Sequence, residues 1–71
     1  MTKQRDIIKR IGREAARQGL TWEFDRQGGN HEVWKLDGLM IPIARHREIP
    51  ELTTRDIYRE CEPKFGKDWW K

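Results

Sequence analysis

The chain has 71 residues, 38% of them charged and 35% hydrophobic, with a net charge of +3. A chain this short buries only about 60% of the surface its unfolded form exposes, so it has room for one domain over residues 1–71 and none for a cofactor domain beside a substrate domain. The single cysteine, Cys61, excludes an intrachain disulfide and a cysteine-based zinc site and fits a reducing cytoplasm; no apolar run is long enough to cross a membrane, and Met1 to Asp6 lead into no signal-peptide segment.

Residues 3–18 carry the pattern of an amphipathic helix. Ile7, Ile8, Ile11 and Ala15 form one apolar stripe. Arg5, Lys9, Arg10, Arg13 and Arg17 project away from it, Thr2 is placed to cap the start, and Gly19 to stop the end. The period then changes. Leu20, Trp22 and Phe24 alternate with polar residues over 20–26, as in a half-buried strand. Gln27-Gly28-Gly29-Asn30 is a turn, and residues 31–36 read as a second strand. Asp37-Gly38 is a two-residue hairpin signal, followed by a third strand over 39–44 with Leu39, Ile41 and Ile43 on one face. Pro42 cannot donate to a ladder, which places this strand at an edge.

Arg45 to Pro50 reads as a polar connection. Thr53 is expected to open the next helix in a variant capping box with Asp56, with Leu52 and Ile57 as a hydrophobic staple. Ile57, Tyr58 and Cys61 form its stripe, and Pro63 ends it near Glu62. Residues 64–71 form a tail without a clear period. Its Trp69-Trp70 pair either folds back to enlarge a small core, the reading favoured here, or stays exposed to stack on bases or anchor a partner. The expected fold is α+β: a three-stranded antiparallel sheet in the order α-β-β-β-α, with two helices on one face. This is the element order of double-stranded-RNA-binding domains. Folds host many functions, so order alone assigns none.

Charge is unevenly spread. Residues 1–19 hold six basic side chains against Asp6 and Glu14, while the remainder is slightly acidic. Such asymmetry fits a polyanion partner, and equally a solvated helix face. His31 is the main candidate for chemistry. In the alternation it shares a side with Val33 and Lys35, opposite Trp34 and Leu36. If those two face the helices, His31 stands on the open face. Imidazole is the side chain best suited to proton transfer near neutral pH. The plain alternative is a histidine at a strand end beside a turn. His46, in Arg45-His46-Arg47, is an accessory acid–base or phosphate-binding candidate, or an ordinary loop residue. Arg45 and Arg47 offer planar forks matched to phosphate oxygens. No nucleotide-binding loop, Ser-His-Asp arrangement or metal-ligand spacing is present, so neither metal nor cofactor is expected. Cys61 lies on an apolar stripe and reads as core.

The stretch Arg26 to Lys35, with Gly28-Gly29-Asn30-His31, followed by Asp37-Gly38 and by Ile41-Pro42-Ile43-Ala44-Arg45-His46, resembles the core of the HicA toxin family. The resemblance covers roughly residues 5–62. It implies a metal-independent endoribonuclease that cleaves messenger RNA in the cytoplasm and is neutralised by an antitoxin of the HicB type. The family's catalytic histidine falls on His31. Asn30 stands where a serine is frequent, Ala44 where a second proline is frequent, and Thr53-Thr54-Arg55-Asp56 replaces the usual opening of the last helix. On this reading Lys35, Arg45, Arg47, Lys9 and Arg13 position RNA phosphates, and Asn30 and His46 are accessory. A non-catalytic RNA-binding module of the same fold is the main competing reading. A small interaction protein using its basic helix and aromatic tail only for assembly is the third.

Overall fold

A computed structural model describes residues 1–71. The principal elements follow the expected α-β-β-β-α order: α1 (Gln4–Gln18), β2 (Trp22–Gly28), β3 (His31–Leu36), β4 (Leu39–Ala44) and α2 (Glu51–Glu60). Three short elements join them: β1 (Thr2–Lys3), β5 (Glu48–Ile49) and α3 (Glu62–Phe65).

Helix α1 forms because its apolar residues recur every four positions. Ile7, Ile11 and Ala15 are buried along one stripe. Gly19 ends the helix at φ 73°, a left-handed conformation that costs glycine nothing, and its N–H donates to the Ala15 and Ala16 carbonyls. The start differs from expectation. Thr2 does not cap the helix; Lys3 occupies the cap position and makes no side-chain capping bond. Thr2 and Lys3 instead pair with Ile49 and Glu48, and the Gln4 N–H donates to the Arg47 carbonyl at 3.1 Å. Pairing with a distant segment of the same chain thus satisfies a donor that a cap would otherwise serve.

The central sheet has the order β2-β3-β4, antiparallel throughout. Strand β2 begins at Trp22 and runs to Gly28, two residues later at each end than the alternation indicates. The cause at its far end is a bulge. Phe24 opposes Trp34 and Arg26 opposes Val33, leaving Asp25 as the extra residue. Asp37 (φ 48°) and Gly38 (φ 89°) make the tight turn between β3 and β4, as their sequence demands. Pro42 lies on β4, an edge strand, where its missing N–H breaks no central ladder.

Leu36, Ile41 and Ile43 are fully buried beneath the helices and pack with Ile7, Ile11, Ile49, Ile57 and Cys61. Helix α2 starts at Glu51, behind Pro50, and not at Thr53. The Thr53–Asp56 box and the Leu52–Ile57 staple do not form, because Thr53 and Leu52 lie inside the first turn and point to solvent. Thr54 is buried in their place. Its N–H donates to the Pro50 carbonyl at 2.8 Å and its hydroxyl to the Ile49 carbonyl at 3.4 Å. Pro63 does more than end a helix: α2 stops at Glu60, and Pro63 lies in the opening turn of α3. The tail then folds back, as favoured. Trp69 donates its indole N–H to the Tyr58 carbonyl at 2.7 Å and meets Tyr58 and Phe65 edge-on. The Arg10 guanidinium reaches the Trp70 carbonyl and lies over the Tyr58 ring.

Candidate active site on the open sheet face

Strand alternation sets what each face of the sheet carries. Opposed residues in antiparallel strands share a face. His31 opposes Gly28 and Ala44, Val33 opposes Arg26 and Pro42, and Lys35 opposes Glu23 and Met40. Trp34 and Leu36, which point the other way, pack with the core under the helices. His31, Val33, Lys35, Met40 and Pro42 therefore share the opposite face, on which His31, Met40 and Pro42 are exposed, while Ala44 at the strand end packs against the core.

His31 is the first residue of β3 and is exposed. Its backbone position is fixed from both sides. Gly28 and Ala44 flank it in the ladder, and the Asn30 carbonyl accepts the Arg45 N–H at 2.9 Å. That bond closes the end of the sheet and brings Asn30, His31, Arg45 and His46 into one neighbourhood. Arg45, His46 and Arg47 are all exposed there. The carboxylates nearest in sequence are engaged elsewhere. Glu32 accepts the Trp34 indole N–H at 3.1 Å on the opposite face, and Asp25 pairs with Arg26 at 2.7 Å and with Lys35 at 3.7 Å.

The remaining expected contacts are dispersed. Lys35 lies on the same face as His31 but two pleats along the strand, roughly 13 Å at about 3.3 Å per residue. Its charge is partly offset by Asp25. Lys9 and Arg13 line a shallow groove with Asp6 and Arg10 on the outer flank of α1. That helix covers the other face of the sheet, so these two cations do not converge on His31. Cys61 is fully buried, and burial followed by the adjacent Glu60 carboxylate pushes its thiol up to about 12. A thiol held protonated in the core is no nucleophile. No three His, Cys, Asp or Glu side chains gather closely enough to hold a metal ion, and no helix is long and apolar enough to cross a membrane.

One group of polar residues near the site escapes a reading along the chain. Gln4 donates its side-chain amide at 3.1 Å to the carbonyl of Ala44, the partner of His31 in the ladder. With Lys3, Arg5 and Arg47 it lines a cleft of about 140 Å³. Lys3 and Arg5 read in sequence only as part of a basic helix face; the pairing of β1 with β5 is what carries them to Arg47.

No protein-family model, no curated protein and no solved structure matches the chain.

Proposed function

We propose that this chain is an endoribonuclease that cleaves messenger RNA in the cytoplasm, and that a protein of the HicB antitoxin type restrains it. One observation carries the reading: His31 is exposed on an uncovered sheet face, one ladder position from the chain segment Arg45-His46-Arg47. The resemblance of the Gly28–Lys35 and Ile41–His46 stretches to HicA toxins supplies the reaction class.

Cleavage of RNA by its own 2′-hydroxyl requires removal of that hydroxyl's proton, attack of the 2′-oxygen on phosphorus, and protonation of the departing 5′-oxygen. His31 takes the first proton as general base, or delivers the second as general acid. His46 is the accessory candidate for the complementary transfer. Arg45 and Arg47 position RNA phosphates on either side of the break by bidentate, charge-assisted hydrogen bonds. Lys35 contacts the strand farther along the open face, and Lys9 and Arg13 contact more distant RNA around the helix side. The antitoxin acts by covering His31 or the approach to it. A basic enzyme and an acidic inhibitor associate quickly because their fields are complementary.

A second reading has an observation in its favour. Glu32 and Asp25 are both committed to other partners, so neither orients the imidazole. A non-catalytic RNA-binding module would show the same arrangement.

The test is cleavage of a long single-stranded RNA in chelator-containing buffer by the native chain and by His31→Ala. The endoribonuclease reading predicts that the native chain cuts, while the variant binds RNA and cuts about 10²- to 10⁴-fold more slowly. Equal cutting by both would remove His31 from the mechanism. Binding without cutting by either would leave the RNA-binding module.

A further inference from the structure

We propose that the cleft formed by Lys3, Gln4, Arg5 and Arg47 is a phosphate-binding subsite that holds a backbone phosphate of single-stranded RNA beside His31. The inference rests on the endoribonuclease reading for its ligand, but on the cleft itself for its chemistry.

The cleft has no apolar lining residue and no carboxylate among its walls. Three of its four lining side chains are cations, and none of the three takes part in an ion pair within the chain. The neighbouring acids are turned to other tasks. Glu51 is held by the N-terminal ammonium and the Thr2 hydroxyl, and Asp6 lines the groove on the far flank of α1. Glu48 opposes Lys3 in the β1–β5 ladder without forming an ion pair. The volume, about 140 Å³, is several times the roughly 30 Å³ that one water occupies in the liquid, enough for a small polyatomic anion. Cations brought together with no protein counter-ion create a local positive potential that favours an anion. Two arginine forks and an amide donor suit the tetrahedral oxygens of a phosphate better than a single carboxylate.

Long-range structure builds this cleft. Lys3 and Arg47 are more than forty positions apart and are brought together by the Thr2–Ile49 and Lys3–Glu48 pairs and by the Gln4 N–H to Arg47 carbonyl bond. The last of these contacts uses only the backbone carbonyl of Arg47, which leaves its guanidinium free for a ligand. The cleft is also tied to the catalytic end of the sheet. Gln4 bonds the carbonyl of Ala44, and Ala44 is one strand spacing, about 5 Å, from His31. A strand of RNA lying across His31 and turning over the edge strand β4 places a neighbouring phosphate at the cleft.

The experiment measures binding rather than turnover, so it stands apart from the cleavage test. Full-length protein carrying His31→Ala is titrated with a fluorescent single-stranded RNA over a range of salt. It is compared with the same protein bearing Arg5→Gln/Arg47→Gln, or bearing Arg59→Gln/Lys67→Gln as a charge-matched control. Melting temperatures of all three verify folding. The subsite predicts at least about tenfold weaker binding for the cleft variant, since charged hydrogen bonds are lost. It also predicts a slope of log K against log salt that is shallower by about 0.7, the contribution of one phosphate contact to a single strand. The control should weaken less than twofold. Equal weakening in both variants would show diffuse net charge and overturn the subsite. Inorganic phosphate is then titrated against the native chain, following the Gln4 and Arg47 amide resonances by NMR. Saturable shifts that disappear in the cleft variant support the subsite when RNA binding falls with them. The same shifts with RNA affinity unchanged would mark a site for free phosphate and overturn the RNA assignment. Absence of cleavage by the native chain, with these binding results intact, would sink the nuclease reading and leave the subsite standing.

Discussion

The two faces of the β2-β3-β4 sheet are made from the same strands, residue by residue in alternation, and have opposite roles. On the covered face, Leu36, Ile41 and Ile43 are wholly removed from water beneath α1 and α2. On the open face their immediate neighbours are Lys35, Met40 and Pro42, and Met40 keeps 43% of its surface exposed. Folding free energy comes from the covered face, because burying a large aliphatic side chain contributes about 1.5–3 kcal/mol. The open face contributes little of it and is free to carry His31. A domain of this size has few residues to spare, and period-two alternation lets one segment serve both purposes.

Substitutions in adjacent positions test that division most sharply. Ile41→Ala is expected to cost about 2–5 kcal/mol, the usual range for emptying a core site. Its neighbour Met40→Ala should cost under about 0.5 kcal/mol, as surface changes do. His31→Ala should likewise leave urea unfolding within about 0.5 kcal/mol of the native chain while the RNA cleavage proposed for it collapses. Equal destabilisation by His31→Ala and Ile41→Ala would mean that the open face is structural and would argue against the active site proposed on it.

The sequence made this alternation legible because strands betray themselves locally. His31-Glu32-Val33-Trp34-Lys35-Leu36 and Leu39 to Ala44 lie where their patterns and the Asp37-Gly38 turn place them. The exposure of His31 also follows from that pattern. Long-range pairing was invisible. Two-residue ladders such as β1–β5 have no period to detect, so Thr2 read as a cap and Lys3 and Arg5 as helix surface. The bulge at Asp25 left no signature in the alternation of Leu20, Trp22 and Phe24. At α2, Thr53 and Asp56 fit a capping pattern, yet Pro50 fixes the backbone three residues earlier and Thr54 enters the core. Local side-chain preference lost there to the geometry of the β5–α2 junction.

Proton linkage gives a second contrast between the faces. Burial, and to a lesser degree Glu60, raises the Cys61 thiol from an ordinary value of 9.0 to about 12. Above pH 9 the unfolded chain loses this proton while the folded chain keeps it, so stability is complete below about pH 9 and falls toward pH 12. The loss is on the order of 4 kcal/mol at about 1.36 kcal/mol per pH unit. Tyr58, whose hydroxyl is raised chiefly by burial, adds to the same alkaline loss. Urea midpoints recorded from pH 8 to 11 should fall steeply for the native chain and less steeply for Cys61→Ala. Identical slopes for the two would show that the thiol is not held protonated by the core.

The smallest expected effect probes the outer margin of the covered face, at the aromatic stack beside α1. Trp22 lies on Trp34 with centroids 4.8 Å apart and planes 18° from parallel, and Phe24 meets Trp34 edge-on. Gly12 allows this approach, because a Cβ there would stand 3.1 Å from Trp22 Cδ1. Replacing a helix-interior glycine with alanine contributes about 0.8–1.0 kcal/mol through helix propensity. Overpacking a closed core costs about 1–3 kcal/mol. This stack is closed only on the helix side: Phe24, at its outer end, is 50% exposed. The rings can therefore slide outward by a few tenths of an ångström, and the two contributions should nearly cancel. Gly12→Ala is expected to change stability by no more than about 0.5 kcal/mol, which is about 2–4 °C in melting temperature for a domain of this length. Tryptophan emission should shift as the stack moves. A loss well above 1 kcal/mol in chemical unfolding would instead place Trp22 and Trp34 inside the rigid core, and would extend that core along the covered face to Phe24.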